Sequence, residues 1–263
     1  MEFFTLILTS LFTLVSPAGI ALDTLAEQNI RDRLFAAEEL EVRIDNTPSY
    51  QLLNGKVDRL RIAGRGLSLI PGLRLDILEI ETDAIDVNPR ELGRGSGNRP
   101  VQGLQQPLQA AVRVAVTEAD INVALQSPEL YNQMQTLALS LFDSPLIQQI
   151  ATRYTLVDRQ VTFLPNNRVR FQTKVQERGY NDFLTLTVET GITVIEGQQL
   201  QLISPSVWVN DRPAPRRLVT GLLDLTRRFN LQRLETQGVR SQVLHFNLTP
   251  AGAEIALFLA LNP

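Results

Sequence analysis

The chain has 263 residues, 44% hydrophobic and 20% charged, a globular composition that argues against disorder over most of its length. A formal charge of −3 supplies no overall field to attract nucleic acid, and the absence of cysteine excludes disulfides and thiolate metal sites. The single histidine, His245, removes most histidine-dependent catalysis before any motif is sought.

From Phe3 to Val15 the sequence carries no charge, and Ser16-Pro17-Ala18-Gly19 follows. Such a run is short for a spanning helix and suits the h-region of a signal peptide, with Ser16 and Ala18 as the small residues a peptidase needs. Glu2 stands where a signal peptide usually carries Lys or Arg. Residues 1–18 therefore read as a signal peptide or a membrane anchor, with a helix buried in the fold left open, and the chain as exported or membrane-attached. Residues 19–263 read as one domain.

Leu22, Leu25, Ile30 and Leu34 recur at near-helical spacing between acids and arginines, which predicts an amphipathic helix reaching about Ala37. Leu40, Val42 and Ile44 then alternate with charged residues, and Asn46-Thr47-Pro48-Ser49 marks a turn. Val57 to Ile62 and Leu75 to Val87 are further strands, with Gly64 and Gly66 as a bulge or bend. Residues 88–106 are rich in Gly, Pro, Asn and Arg without a period, and read as a mobile loop. The glycines there have no strand-turn-helix context and no following Lys-Ser/Thr, so they make no phosphate cradle.

Val112, Val114 and Val116 form a strand that runs into Thr117, a helix cap answered by Asp120. Ser127-Pro128 and Ser144-Pro145 open two more helices, the first reaching residue 142 and the second Ile150. Sheet dominates afterwards: Val169 to Val175, Leu184 to Val188, Ile192 to Ile195 and Leu200 to Trp208, with a turn at Glu196-Gly197. A helix over 216–229 and two strands, Val243 to Leu248 and Ile255 to Leu261, complete the chain. The class is α+β with antiparallel sheet.

The residues offer little chemistry. No G-x-S-x-G elbow occurs, His245 lies mid-strand, and no His pair or calcium-type acidic loop is present. Glu79, Glu81 and Asp83 share one strand face and could in principle act as paired carboxylates; equally spaced acids of this kind are more often a solvated face. Two arginine-rich stretches, around Arg61 and Arg65 and around Arg216 and Arg217, suit phosphate oxygens, although solvated surface charge is the commoner reading.

Several segments carry a resemblance: Val42 to Asn46, QLLNGKVDRLRIAGRGL (51–67), LEIETDAIDVNP (78–89), PLQAAVRVAVTEADINVALQSPEL (107–130) and QLQLISPSVWVND (199–211). Together they make a chain that resembles the LmeA-like phospholipid-binding family, in its cyanobacterial form, over roughly residues 20 to 261. The resemblance implies an envelope-located protein, in the periplasm or at a membrane, that binds phospholipid or another acyl lipid without being an enzyme. It implies no cofactor and no metal. It also implies a fold similar to tubular lipid-binding proteins, a long curved antiparallel sheet wrapped around amphipathic helices.

On that reading acyl chains lie against Val114, Val116, Leu137, Leu141, Phe171, Leu186, Leu257 and Leu259. Arg61, Arg65, Arg216 and Arg217 are the headgroup candidates. The expected partners are lipid and a membrane surface, with no nucleic acid. Two rivals stay open: an envelope scaffold with a filled core, and an enzyme using the Glu79, Glu81, Asp83 face.

Overall fold

The computed structural model describes residues 22–32, 34–46, 51, 54–88, 103–128, 130–132, 153–216, 219–220 and 239–263. The apolar start, residues 89–102 and most of the helices expected over 128–142, 144–150 and 216–229 lie outside the described residues.

Helix α1, Leu22–Arg31, buries Ala26 and Ile30, which are four apart and so share one face. It stops short of the predicted Ala37 because Ala36 and Ala37 already belong to strand β1, Ala36–Asp45, where they pair with Ser68 and Leu67. Arg31 ties the two elements together, donating to the Ala37 carbonyl at 3.2 Å.

Two more strands of the first sheet follow, β3 (Arg59–Ile70) and β4 (Leu73–Thr82), after a short β2 (Lys56–Val57) and before its partner β5 (Ile85–Asp86). Strands β6 (Leu108–Val116), β12 (Val239–Thr249) and β13 (Gly252–Leu261) complete a six-stranded antiparallel sheet in the order β1-β3-β4-β6-β13-β12. Between β6 and β12 the chain builds a second antiparallel sheet. Its strands are β7 (Tyr154–Leu164), β8 (Arg168–Glu177), β9 (Phe183–Ile195), β10 (Gln199–Val209) and β11 (Arg212–Pro213), in reverse order across the sheet. Both sheets are open, and the α+β expectation of curved antiparallel sheet holds.

The core lies on one face of the first sheet and draws residues from all six of its strands. Ala26 and Ile30 of α1 pack on Leu40, Val42, Leu60, Ile62, Leu78 and Ile80, with Leu108 and Leu261 beside them. The β2–β5 ribbon adds Val57 and Ile85. Within the stretch read as a mobile loop, Leu104 is buried and bridges Val87, while Gln105 N–H donates to the Asp86 carbonyl at 2.8 Å.

Gly66 is a bend in β3. Its φ of +58° favours glycine, and a Cβ there would lie 2.3 Å from Glu38 Cδ. The register with β1 runs through it unbroken, yet the buried positions change from Leu60 and Ile62 before the bend to Leu67 after it.

Strand β7 is absent from the sequence reading, and the reason is a bulge. Asp158 and Arg159 together oppose the single residue Thr173, so Leu156 and Val161 face the same way although they stand an odd number of positions apart. The period-2 signal is broken and the strand is hidden. Strand β10 repeats the device, with Ser204 and Pro205 opposing Thr190. Asp158 and Ser204 both take positive φ, 51° and 47°. Each bulge faces a buried threonine on the neighbouring strand: Thr173 Oγ1 donates to the Val157 carbonyl at 2.9 Å, and the Thr190 hydroxyl is shared between the Gly191 carbonyl at 2.9 Å and the Ile203 carbonyl at 3.2 Å.

Helix α2, Glu118–Gln126, starts as expected, with Asp120 N–H donating to Thr117 Oγ1 at 3.1 Å. The Asp120 carboxylate accepts from the Thr117 hydroxyl and from Arg74 at 3.1 Å, which pins the helix to β4. Ser127 then caps the next helix, accepting from Leu130 N–H at 3.4 Å.

The opposite face of α2 meets the edge of β7. Glu118 accepts from Phe163 N–H at 2.7 Å; Asn122 accepts from Val161 N–H at 2.7 Å and donates to the Val161 carbonyl at 2.8 Å; Gln126 donates to the Arg159 carbonyl at 2.6 Å. Three side chains at four-residue spacing thus imitate a neighbouring strand.

Two losses of stability follow. Thr173→Val keeps the shape but leaves the bulge carbonyl unpaired, and should lower unfolding free energy by about 1–2 kcal/mol. Asn122→Ala removes both bonds to Val161 and should cost about 2 kcal/mol, with faster amide exchange at Val161 than at Val169. Chemical denaturation and hydrogen exchange measure both.

Candidate functional site

Each sheet has one apolar face, and neither face is uniformly buried. Along β6 the residues facing the core run from Leu108 and Ala110, fully buried, to Val112, Val114 and Val116, half-buried. Strand β13 pairs with it so that Leu261 meets Leu108, Leu259 meets Ala110, Leu257 meets Val112 and Ile255 meets Val114. Leu261 is buried, whereas Leu259, Leu257 and Ile255 are half-buried. Burial declines along both strands from Leu108 and Leu261, with Val112, Val114 and Val116 still packed against the core cluster.

The second sheet continues the pattern. Phe171 sits between Val161 and Val188, and Leu186 lies beside Thr173 and Val209. Pairing puts all these side chains on one face, and the apolar members are half-buried. Of the face's residues, Phe163, Val207 and the two bulge threonines are the ones fully buried. A strip of partly covered Val, Leu, Ile and Phe is therefore present on both sheets.

The sheets meet at turns. Leu248 N–H on β12 donates to Asn167 Oδ1 in the β7–β8 turn at 2.7 Å, and Val243 N–H donates to the Gly197 carbonyl in the β9–β10 turn at 2.7 Å. Gly197 has φ +69°, and a Cβ there would come 2.7 Å from Gln242 Cγ, so the close approach needs glycine.

The opposite face of the first sheet is charged. A shallow groove of about 370 Å³ crosses it over a floor of Ala63, Ala111 and Ala256, walled by Arg43, Arg61 and Glu81 among others. Most of its charges are matched. Arg61 pairs with Asp45, Arg59 with Glu81 at 3.4 Å, and Arg113 with Glu79 at 3.1 Å and Glu254 at 2.6 Å. The Glu254 bond, then the Glu79 bond, raises the Arg113 pKa, and Arg113 in turn holds the Glu254 carboxyl below its ordinary value. On the second sheet Arg170 and then Arg168 do the same to Glu189.

The expected acyl-chain residues fall into two groups. Val114, Val116, Leu257 and Leu259 share the apolar face of the first sheet, and Phe171 and Leu186 share that of the second. Leu137, Leu141 and Arg217 lie outside the described residues. The headgroup candidates are not brought together with the first group: Arg61 and Arg65 alternate with Leu60 and Ile62 and so project from the opposite, charged face. Arg65 stands 4.0 Å from Glu39 and is exposed. Arg216 is exposed just after β11. Glu79 and Glu81 are tied to Arg113 and Arg59, and Asp83 accepts from Gln109 N–H at 2.7 Å. Among the described residues no three acidic or histidine side chains converge as a metal site, and no helix is long and apolar enough to cross a membrane.

Sequence reasoning missed Val161, Val188 and Ile255 as members of the apolar strip. For Val161 the bulge hid the strand; for the other two the alternation was visible, but not which strands lie side by side. The LmeA-like phospholipid-binding family profile matches residues 15–258. No curated protein and no solved structure matches the chain. With nearly the whole length matched, the chain belongs to the LmeA-like phospholipid-binding family.

Proposed function

We propose that this protein binds phospholipid, or another acyl lipid, along the half-buried apolar faces of its two sheets, and that it does so without catalysing a reaction. One observation carries the reading beyond the family match: the fall in burial along β6 and β13 from Leu108 and Leu261 to Val112, Val114, Val116, Leu257 and Ile255. A filled core would bury these side chains as fully as Leu108. Covering them with hydrocarbon gains about 0.8 kcal/mol per buried methylene, so part of one acyl chain suffices for a stable complex.

The apolar start at residues 1–18 supports placing that activity at the cell envelope, where the protein would hold or pass on membrane lipid. Paired charges around Glu79, Glu81 and Asp83 support the non-catalytic reading, since each acid already has a partner. Arg216 and Arg217 are the better headgroup candidates. The sheet itself separates Arg61 and Arg65 from the acyl strip.

Mass spectrometry of organic extracts from purified protein, against a mock purification, tests the proposal. Phospholipid near one per chain is expected, and Val114→Asn with Leu257→Gln should lower it by roughly tenfold. Arg61→Ala with Arg65→Ala should leave lipid content unchanged, whereas Arg216→Ala with Arg217→Ala should reduce it. Clean extracts from a protein that also refuses added lipid would favour the scaffold reading.

A further inference from the structure

The β8–β9 hairpin ends in an apolar tip with no cover. Tyr180 is 64% exposed, Phe183 52% and Leu184 49%, three of the largest apolar exposures among the described residues and all within five positions. Isolated exposed apolar residues are ordinary, but a cluster at a projecting turn is not. The turn is also held in shape. Tyr180 N–H donates to the Glu177 carbonyl at 3.1 Å, and Gln176 Nε2 donates to the Tyr180 carbonyl at 2.9 Å. Gly179 has φ +90° with open space where a Cβ would be.

Position and continuity give the tip its meaning. The other ends of these strands, at Asn167 and Gly197, are bonded to β12 of the first sheet. Strand β9 has 13 residues, so its start stands about 40 Å from that junction, facing away from it. Leu184 pairs with Val175 and shares a face with Leu186, Val188 and Phe171. Leu184 thus carries the half-buried strip out to the exposed tip, while Phe183, paired with Gln176, projects from the opposite face beside Lys174.

The charges around the tip suit an interface more than a charged patch. Arg153 is paired with Glu177 at 2.8 Å, and Lys174 is paired with Asp158 while its ammonium lies 4.8 Å from the Phe183 ring centre. Arg178 makes no side-chain ion pair among the described residues, and Asp182 offsets it. Aromatic rings flanked by neutralised long cations are what the headgroup region of a bilayer accommodates.

We infer that the β8–β9 tip, through Tyr180, Phe183 and Leu184, inserts into the headgroup–acyl boundary of a phospholipid bilayer and opens the apolar strip to it. The inference rests on the lipid-binding reading and adds where the protein meets the membrane. Because insertion is apolar, phosphatidylcholine vesicles suffice, and association changes little with salt.

The absence of cysteine allows single-site labelling. Tyr180→Cys and, as a control in the exposed β12–β13 turn, Ala251→Cys would each carry an environment-sensitive fluorophore on the full chain. Phosphatidylcholine vesicles should blue-shift the label at position 180 and leave that at 251 unchanged. In flotation, Tyr180→Ser with Phe183→Ser should lose vesicle association by roughly tenfold or more. The same variant should keep its melting temperature and its binding of a short-chain phosphatidylcholine below its micelle concentration.

An unshifted label at 180, or undiminished flotation of the variant, overturns the inference. So does a shift at 180 produced by raising protein concentration without vesicles, which would make the tip a contact between copies. Loss of short-chain lipid binding by the folded variant overturns it too, because the tip would then be the lipid site itself. If neither protein binds short-chain lipid while the variant alone fails to float, the docking stands and the lipid-binding reading fails.

Discussion

Val161 has an N–H and a carbonyl that its own sheet cannot use, since β7 is an edge strand with β8 on one side only. Exposed edges of this kind invite pairing with other chains. Here Asn122 satisfies both groups, and Glu118 and Gln126 extend the pairing along the edge. The same helix is fixed to β4 through Asp120 and Arg74. Edge satisfaction is therefore also what couples the sheets: α2 closes β7, and the turns at Asn167 and Gly197 close β12. Without those polar contacts the two apolar faces would have no fixed relation, and a ligand could not span them.

Once coupled, the sheets must curve without losing their apolar face. A strand that simply alternates keeps its face but bends little; an inserted residue bends the strand and reverses its alternation. Three strands solve the conflict in their sequences. In β7 the apolar positions move from Leu156 to Val161 and Phe163, and in β10 from Leu200 and Leu202 to Val207 and Val209. In β12 they move from Val239 and Val243 to Phe246 and Leu248, with Leu244 the extra residue, 60% exposed. In these three strands each change of parity matches one bulge, so the apolar positions named keep to one face; in β3 the change comes at the Gly66 bend instead. The threonines opposite two of these bulges put a hydroxyl into an otherwise apolar face, where the distorted carbonyl needs it.

Those same devices set what could be read from the sequence. Regular alternation made β8 plain and gave β9 as two pieces, Leu184 to Val188 and Ile192 to Ile195, and the Thr117 and Ser127 caps were visible from residue type alone. Parity even placed Arg61 opposite Ile62, a relation that grouping the arginines by charge overlooked. Strand β7 was hidden by its bulge. Leu104 was lost among Gly103, Gln105 and Gln106, because a single core residue inside turn-forming composition has no period. The end of α1 was misplaced because Leu34, Ala37 and Leu40 continue a helical spacing by coincidence; pairing of Ala36 and Ala37 with β3 decides for strand. The tip left a trace in Gly179-Tyr180-Asn181-Asp182-Phe183, where turn residues are interleaved with aromatics.

Lipid binding and curvature then become one problem. A flat sheet with an apolar face can be covered by helices, as α1 covers Leu40 and Leu60, until nothing remains exposed. A face that extends further than its helices reach keeps apolar residues with only partial cover. Val112, Val114, Val116 and Leu257 stand on the unbulged strands β6 and β13, the three valines packed against the core cluster, and all four are only half-buried. Their chemistry is the same as that of Leu108 and Leu261. The half-buried strip thus needs no special residues: it is core sequence extended past the point where protein can fill it. A flexible hydrocarbon chain, adding cover methylene by methylene, suits that remainder better than a rigid partner of fixed shape.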